Sequence, residues 1–159
     1  AWDYAQPGDH LVPGGKGART TTLLAVESVG AEQVNKALTQ KRTVALVSNL
    51  LFGRAEDLST VLSGGLSFTI TGKVPSYVGE SSVYTVALHN ALPIPVATKN
   101  ISGIRFSTAA NVLTIPARGS TTLEVAQLAD PNALDEIAVE VLNAFVAPDK
   151  PLALTIGRR

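Results

Sequence analysis

The last quarter of the chain constrains the fold most. A polar-alternating segment, Thr121-Thr122-Leu123-Glu124-Val125-Ala126-Gln127, leads through Asp130-Pro131 into a stretch whose apolar residues recur at helical spacing. Leu134, Ile137, Ala138, Val141, Leu142 and Phe145 fall at i, i+3, i+4, i+7, i+8 and i+11, one continuous stripe down a helix. Asp130 suits an N-cap, and Pro131 suits the first helical position, where a missing N–H costs nothing. The spacing predicts a helix over 130–147. Such a stripe must be covered, either by the chain's own sheet or by another subunit.

Almost everything before it reads as β. Leu66, Phe68 and Ile70 alternate with Ser67, Thr69 and Thr71, and Tyr84, Val86 and Leu88 alternate within Ser82–His89. This period of two marks half-buried antiparallel strands, and the turn from Pro75 to Glu80 joins them as a hairpin. Further strands are expected at Thr20–Val26, Thr43–Val47, Ile104–Ser107, Val112–Ile115 and Thr121–Gln127. Pro93 and Pro95 argue against a central strand at their own positions. Ala31–Leu38 suits a short helix or a wide connection, and Glu56-Asp57 a polar connection. Pro148 and Pro151 bracket a break before the apolar close Leu152-Ala153-Leu154-Thr155-Ile156.

The expected organisation is a single domain over 1–159. It comprises an extended arm or hairpin at 1–19, a mainly β region at 20–128, a helix at 130–147 and a C-terminal segment at 148–159. The arm is rich in Pro and Gly yet carries Trp2 and Tyr4, aromatics that suit docking in cis or on a neighbour. The fold class is α+β: an antiparallel sheet of about five to six strands, with the C-terminal amphipathic helix packed across the sheet of a dimer partner.

Composition narrows the chemistry. There is no cysteine, and His10 and His89 are the two imidazoles, so disulfides, thiolate metal sites and histidine-built metal sites are not expected. No apolar run approaches the roughly 20 residues of a membrane span. The start is polar and turn-rich, unlike a signal peptide, and Ala1 suits an end from which an initiator methionine has been removed. Basic and acidic residues balance at 13 each, but unevenly along the chain. Lys73, Lys99, Arg105 and Arg118 against Glu80 leave the middle strands basic, whereas six acids against three bases leave the end from Ser120 onward acidic.

Catalytic constellations are missing. Gly14-Gly15-Lys16-Gly17 has neither the spacing nor the strand-then-helix context of a phosphate-cradling loop. There is no G-x-S-x-G elbow and no Cys–His option, and Asp135, Glu136 and Glu140 suit a solvated face. The expectation is a protein that is not an enzyme, has no cofactor and takes no small-molecule substrate. What remains is a polar sheet face: if Leu66, Phe68, Ile70, Tyr84, Val86 and Leu88 face the core, then Thr69, Thr71, Lys73, Thr85 and His89 face away from it. Hydroxyls, an ammonium and an imidazole on an open sheet can hold phosphates and unpaired bases; equally, threonine is common on any exposed strand.

The order of elements resembles the coat proteins of single-stranded RNA bacteriophages, the levivirus type. The likeness lies in the strand pair Leu66–Thr71 and Tyr84–Leu88, the strand Thr121–Gln127, the helix Asn132–Phe145 and the close at Leu152–Arg159. It implies two interlocked subunits, each helix lying across the partner's sheet, assembled in the host bacterial cytoplasm into an icosahedral shell whose sheets face the genomic RNA. On that resemblance Thr69, Thr71, Lys73, Thr85 and His89 are candidate RNA-facing residues. Leu134, Ile137, Ala138, Val141, Leu142 and Phe145 become the candidate dimer interface. The implied partners are a second copy of the chain and single-stranded RNA. The chain is longer before Gly65 than such a coat requires, and its net charge is zero.

Two other readings compete. One is a β-sandwich interaction module, immunoglobulin-like or LEA14-like, supported by Tyr84–Pro95 followed by Leu113–Val125, with the long helix as its awkward element. The other is a tail or decoration protein of a DNA phage.

Overall fold

The computed structural model describes residues 20–26, 28, 30–74, 82–106, 111–128 and 134–159. The expected arm at 1–19, the turn from Pro75 to Glu80 and the Asp130-Pro131 helix start lie outside the described residues. In chain order the elements are β1 (Thr21–Leu24), α1 (Ala31–Thr39), β2 (Thr43–Val47), β3 (Leu50–Gly53), α2 (Ala55–Gly65), β4 (Leu66–Val74) and β5 (Ser82–Asn90). They continue with β6 (Val96–Asn100), β7 (Arg105–Phe106), β8 (Val112–Ile115), β9 (Gly119–Leu128), β10 (Glu136–Ala147) and β11 (Lys150–Gly157). The chain clusters into two compact units, one from residues 1–61 and 143–152, the other from 62–142 and 153–159.

In the first unit, β1, β2 and β3 form an antiparallel run, and the end of β10 joins β3 in parallel through Ala144 and Phe145. Ser48 takes a positive φ of 55° in the β2–β3 turn, and Asn143 Nδ2 donates to Asn49 O at 2.7 Å, which ties that turn to β10. Helix α1 ends because Lys41 enters the left-handed region at φ 56°. The N–H of Arg42 then reaches back to Ala37 O and that of Lys41 to Leu38 O, closing off the last carbonyls of the helix. Glu56 and Asp57 occupy the first turn of α2, where acids oppose the helix dipole. Arg54 Nε donates to the buried Asp57 carboxylate at 2.8 Å. Val44, Leu46 and Leu51 point to one side of the sheet and are buried, as are Ala37 of α1 and Leu58 of α2.

The second unit contains two antiparallel sheets. One runs β4-β5-β9-β7; in the other, β6 lies between β8 and the start of β10. Each buries alternate residues: Leu66, Phe68, Val86, Leu88, Leu123 and Val125 from the first, and Val96, Thr98, Ile115, Ile137, Val139 and Val141 from the second. Full burial of such side chains supplies about 1.5–3 kcal/mol each, and two sheets each presenting one apolar face are what a sandwich core requires. Asn90 closes the end of β5: its Nδ2 donates to the carbonyls of Ile94, Ile115 and Pro116, and its Oδ1 accepts from Leu92 N.

The C-terminal helix expected over 130–147 is replaced by strand β10 from Glu136 to Ala147. Ile137, Val139 and Val141 are buried while Glu136, Ala138 and Glu140 are not, a period of two. Val139, which falls off the helical stripe, is 2% exposed. Four β-branched residues, Ile137, Val139, Val141 and Val146, favour the pleated conformation. Cross-strand pairing to β6 adds Lys99 Nζ to Glu140 Oε2 at 3.4 Å. Pro148 and Asp149 form the turn of a hairpin into β11, with Asp149 at φ 55°. The fold is therefore mostly β with two helices among the described residues, and no helix there is long and apolar enough to cross a membrane.

Candidate functional site

The first unit exposes apolar side chains on the sheet face opposite its buried side. Register places Thr22, Ala45, Phe52 and Phe145 side by side across β1, β2, β3 and β10. The Phe52 and Phe145 rings stack at 5.6 Å with an interplanar angle of 21°. Phe52 nevertheless remains 41% exposed, and the neighbouring pair Val47 and Leu50 is exposed to a similar degree. A mainly apolar groove of about 750 Å³ runs along these rings, bounded by Lys41, Arg54 and Pro148. Phe52 is thus an exposed aromatic side chain beside an apolar groove with Lys41 and Arg54 at its rim.

The residues singled out from the sequence do not stay together. Thr69 and His89 do meet, with Thr69 Oγ1 2.9 Å from His89 Nε2, and Thr85 lies on the same face of β5 as His89. A bulge between Ile70 and Gly72 then shifts the register by one. Thr71 donates to Thr85 O at 3.3 Å, and Lys73 pairs with Tyr84 on the opposite face, its Nζ 5.9 Å from the ring centroid. Lys73 therefore does not share a face with Thr69, Thr85 and His89. Of the stripe, Leu134, Ile137 and Val141 are buried in the chain's own core, while Ala138, Leu142 and Phe145 are half-buried. Phe145 alone among these reaches the exposed aromatic face. Its partner Phe52 carried no weight in sequence reasoning because the two rings are brought together by a parallel pairing that no local pattern announces. The apolar run Leu50-Leu51-Phe52, too apolar for a connection, was the available signal.

A shallow pocket of about 410 Å³ lies where β5 ends and β9 begins, lined by His89, Asn90, Ala91, Arg118, Gly119 and Ser120. No group of three His, Cys, Asp or Glu side chains gathers to hold a metal ion among the described residues.

Residues 70–157 match the family model DUF5001, an Ig-like domain, and that stretch is more than half of the chain. The chain belongs to this Ig-like family. Among solved structures it is similar to a two-domain protein from Bacteroides vulgatus ATCC 8482 containing a predicted PHP-like metal-dependent phosphoesterase. The sequences are 22% identical and the TM-score is 0.64. The match covers 89% of this chain and 40% of that one, a likeness of fold. No curated protein matches the chain.

The Ig-like family overturns the resemblance to levivirus coat proteins, and the capsid function, the shell and the RNA-facing role drawn from it go with it. The likeness rested on a C-terminal helix that is in fact a strand paired to β6. The β-sandwich alternative is the one the family favours.

Proposed function

We propose that this Ig-like chain is a non-catalytic interaction module whose contact surface is the sheet face centred on Phe52 and Phe145. The observation that carries the reading is the stacked aromatic pair, with Phe52 41% exposed, beside its 750 Å³ groove. The partner is a folded domain adjoining it on the same polypeptide, in the manner of the two-domain structural neighbour, of which the chain spans 40%. An open, largely apolar groove rimmed by Lys41 and Arg54 suits the apolar centre and polar edge of a protein–protein contact.

The chain has no cysteine, so Phe52→Cys introduces a unique thiol. Its rate of maleimide labelling is measured in this chain alone and in the complete gene product. Labelling slowed about tenfold or more in the complete product supports the reading. Equal rates, or a gene product with no further domain, refute it.

A further inference from the structure

The pocket at the end of β5 collects three groups of one chemical character. Register sets His89 directly opposite Ser120, and Arg118 stands two residues before Ser120 in the turn into β9, in a left-handed conformation at φ 48°. The Arg118 main-chain N–H is already used, donating to Leu92 O at 2.9 Å, which fixes the turn. Among the described residues, the Arg118 guanidinium has no ion pair, in contrast to Arg54, held by Glu56 and Asp57, and Lys99, held by Glu140. His89 is oriented through Nε2 by the Thr69 hydroxyl, and its second ring nitrogen has no partner among the described residues. The same holds for the Ser120 hydroxyl. No carboxylate stands among the residues lining the pocket.

The row continues from His89 onto β4 at Ser67, which is 4% exposed and whose hydroxyl lacks a hydrogen-bond partner among the described residues. Buried polar groups are ordinarily satisfied, so this row is polar beyond what the sandwich alone requires. A free guanidinium, an oriented imidazole and a hydroxyl around one acid-free concavity make a donor set for a small oxyanion.

We infer that the Arg118–His89–Ser120 pocket binds a phosphate-class oxyanion, as free phosphate or as a small phosphomonoester. Arg118 supplies the charge, while His89 and Ser120 supply direction. The space of about 410 Å³ leaves room for an organic substituent beside Ala91. The site lies in the second unit and does not rest on the contact surface proposed for Phe52 and Phe145.

The probes are inorganic phosphate, glycerol 1-phosphate and, at matched ionic strength, sodium chloride, each titrated into the whole chain and followed by the His89 ring and residue 118–120 amide signals in NMR. Saturable shifts with either phosphate but not chloride are expected, and tighter binding of glycerol 1-phosphate would identify the monoester as the ligand form. Arg118→Gln and His89→Gln are each expected to weaken binding about tenfold, the scale of one charge-assisted hydrogen bond at a half-exposed site. Shifts that follow ionic strength alike in all three salts overturn the inference. So does unchanged affinity in both variants, whose native amide spectra elsewhere show that they fold.

Discussion

Val139 and Ala138 are neighbours that a helix and a strand rank in opposite order. In β10 Val139 is 2% exposed and Ala138 is half-buried on the other side. Val139→Ala removes two buried carbons, a transfer loss of about 1.6 kcal/mol at about 0.8 per methylene, and an incompletely collapsed cavity raises this to about 2–3 kcal/mol. At about 2–4 °C per kcal/mol for a chain of this length, the thermal midpoint should fall by about 5–10 °C. Ala138→Thr places a β-branched residue at a half-buried strand position and should stay within about 0.5 kcal/mol of the parent. A helix bearing the stripe from Leu134 to Phe145 gives the reverse. There Val139 lies on the polar side and its replacement by alanine gains helix propensity, while Ala138 lies within the stripe. Thermal and urea unfolding followed by far-ultraviolet circular dichroism measure both. A neutral or stabilising Val139→Ala combined with an Ala138→Thr loss above about 1 kcal/mol would refute the strand argument.

Two further perturbations probe the sandwich. Asn90→Ala should cost about 2–4 kcal/mol, because it strands the Leu92 N–H and removes the donor shared by three carbonyls. Asn90→Asp should be worse at neutral pH, since a buried carboxylate would face those carbonyls. Its folded-state pKa is thereby raised above about 3.9, so the penalty is full above the folded value and recedes as pH falls through it, which urea titrations at pH 7 and pH 4 would reveal. Gly65→Ala places a Cβ 2.5 Å from Leu92 Cγ, so Leu92 must move. The expected loss is about 1–3 kcal/mol, relieved by the double change with Leu92→Ala, and an additive double mutant would show that no clash exists.

Alternation was legible wherever one face of a strand is polar. Thr43–Val47 and Val112–Ile115 have the expected bounds, and β4 and β5 pair as the hairpin that their pattern implies. The C-terminal segment is ambiguous in sequence because its residues satisfy two periods. The helical stripe accommodates six apolar residues by leaving out Val139, and only the pairing of β10 with β6, a contact remote in sequence, separates the two. Helix α2 was hidden behind Glu56-Asp57, acids that suit a loop as well as a first turn, although Leu58 and Leu62 at i and i+4 are both buried. β6 begins directly after Pro95, so the prolines stay outside the strand while obscuring its start. On the candidate face, alternation holds for Thr69, Thr85 and His89, which share one side of the sheet. It fails at Lys73, because a one-residue bulge before Gly72 inverts every side chain beyond it.

The division of β10 and β11 between the two units has a temporal meaning. The first unit draws on 143–152 and the second on residues up to 142 and again on 153–159, so each is completed by the last seventeen residues of the chain described above. During synthesis, β1–β3 emerge with no strand yet available for the β10 side of β3, and β6 waits likewise for its second neighbour. A nascent chain stalled before Glu136 should therefore present the unpaired edges of β3 and β6 to chaperones, since both take their partner from β10.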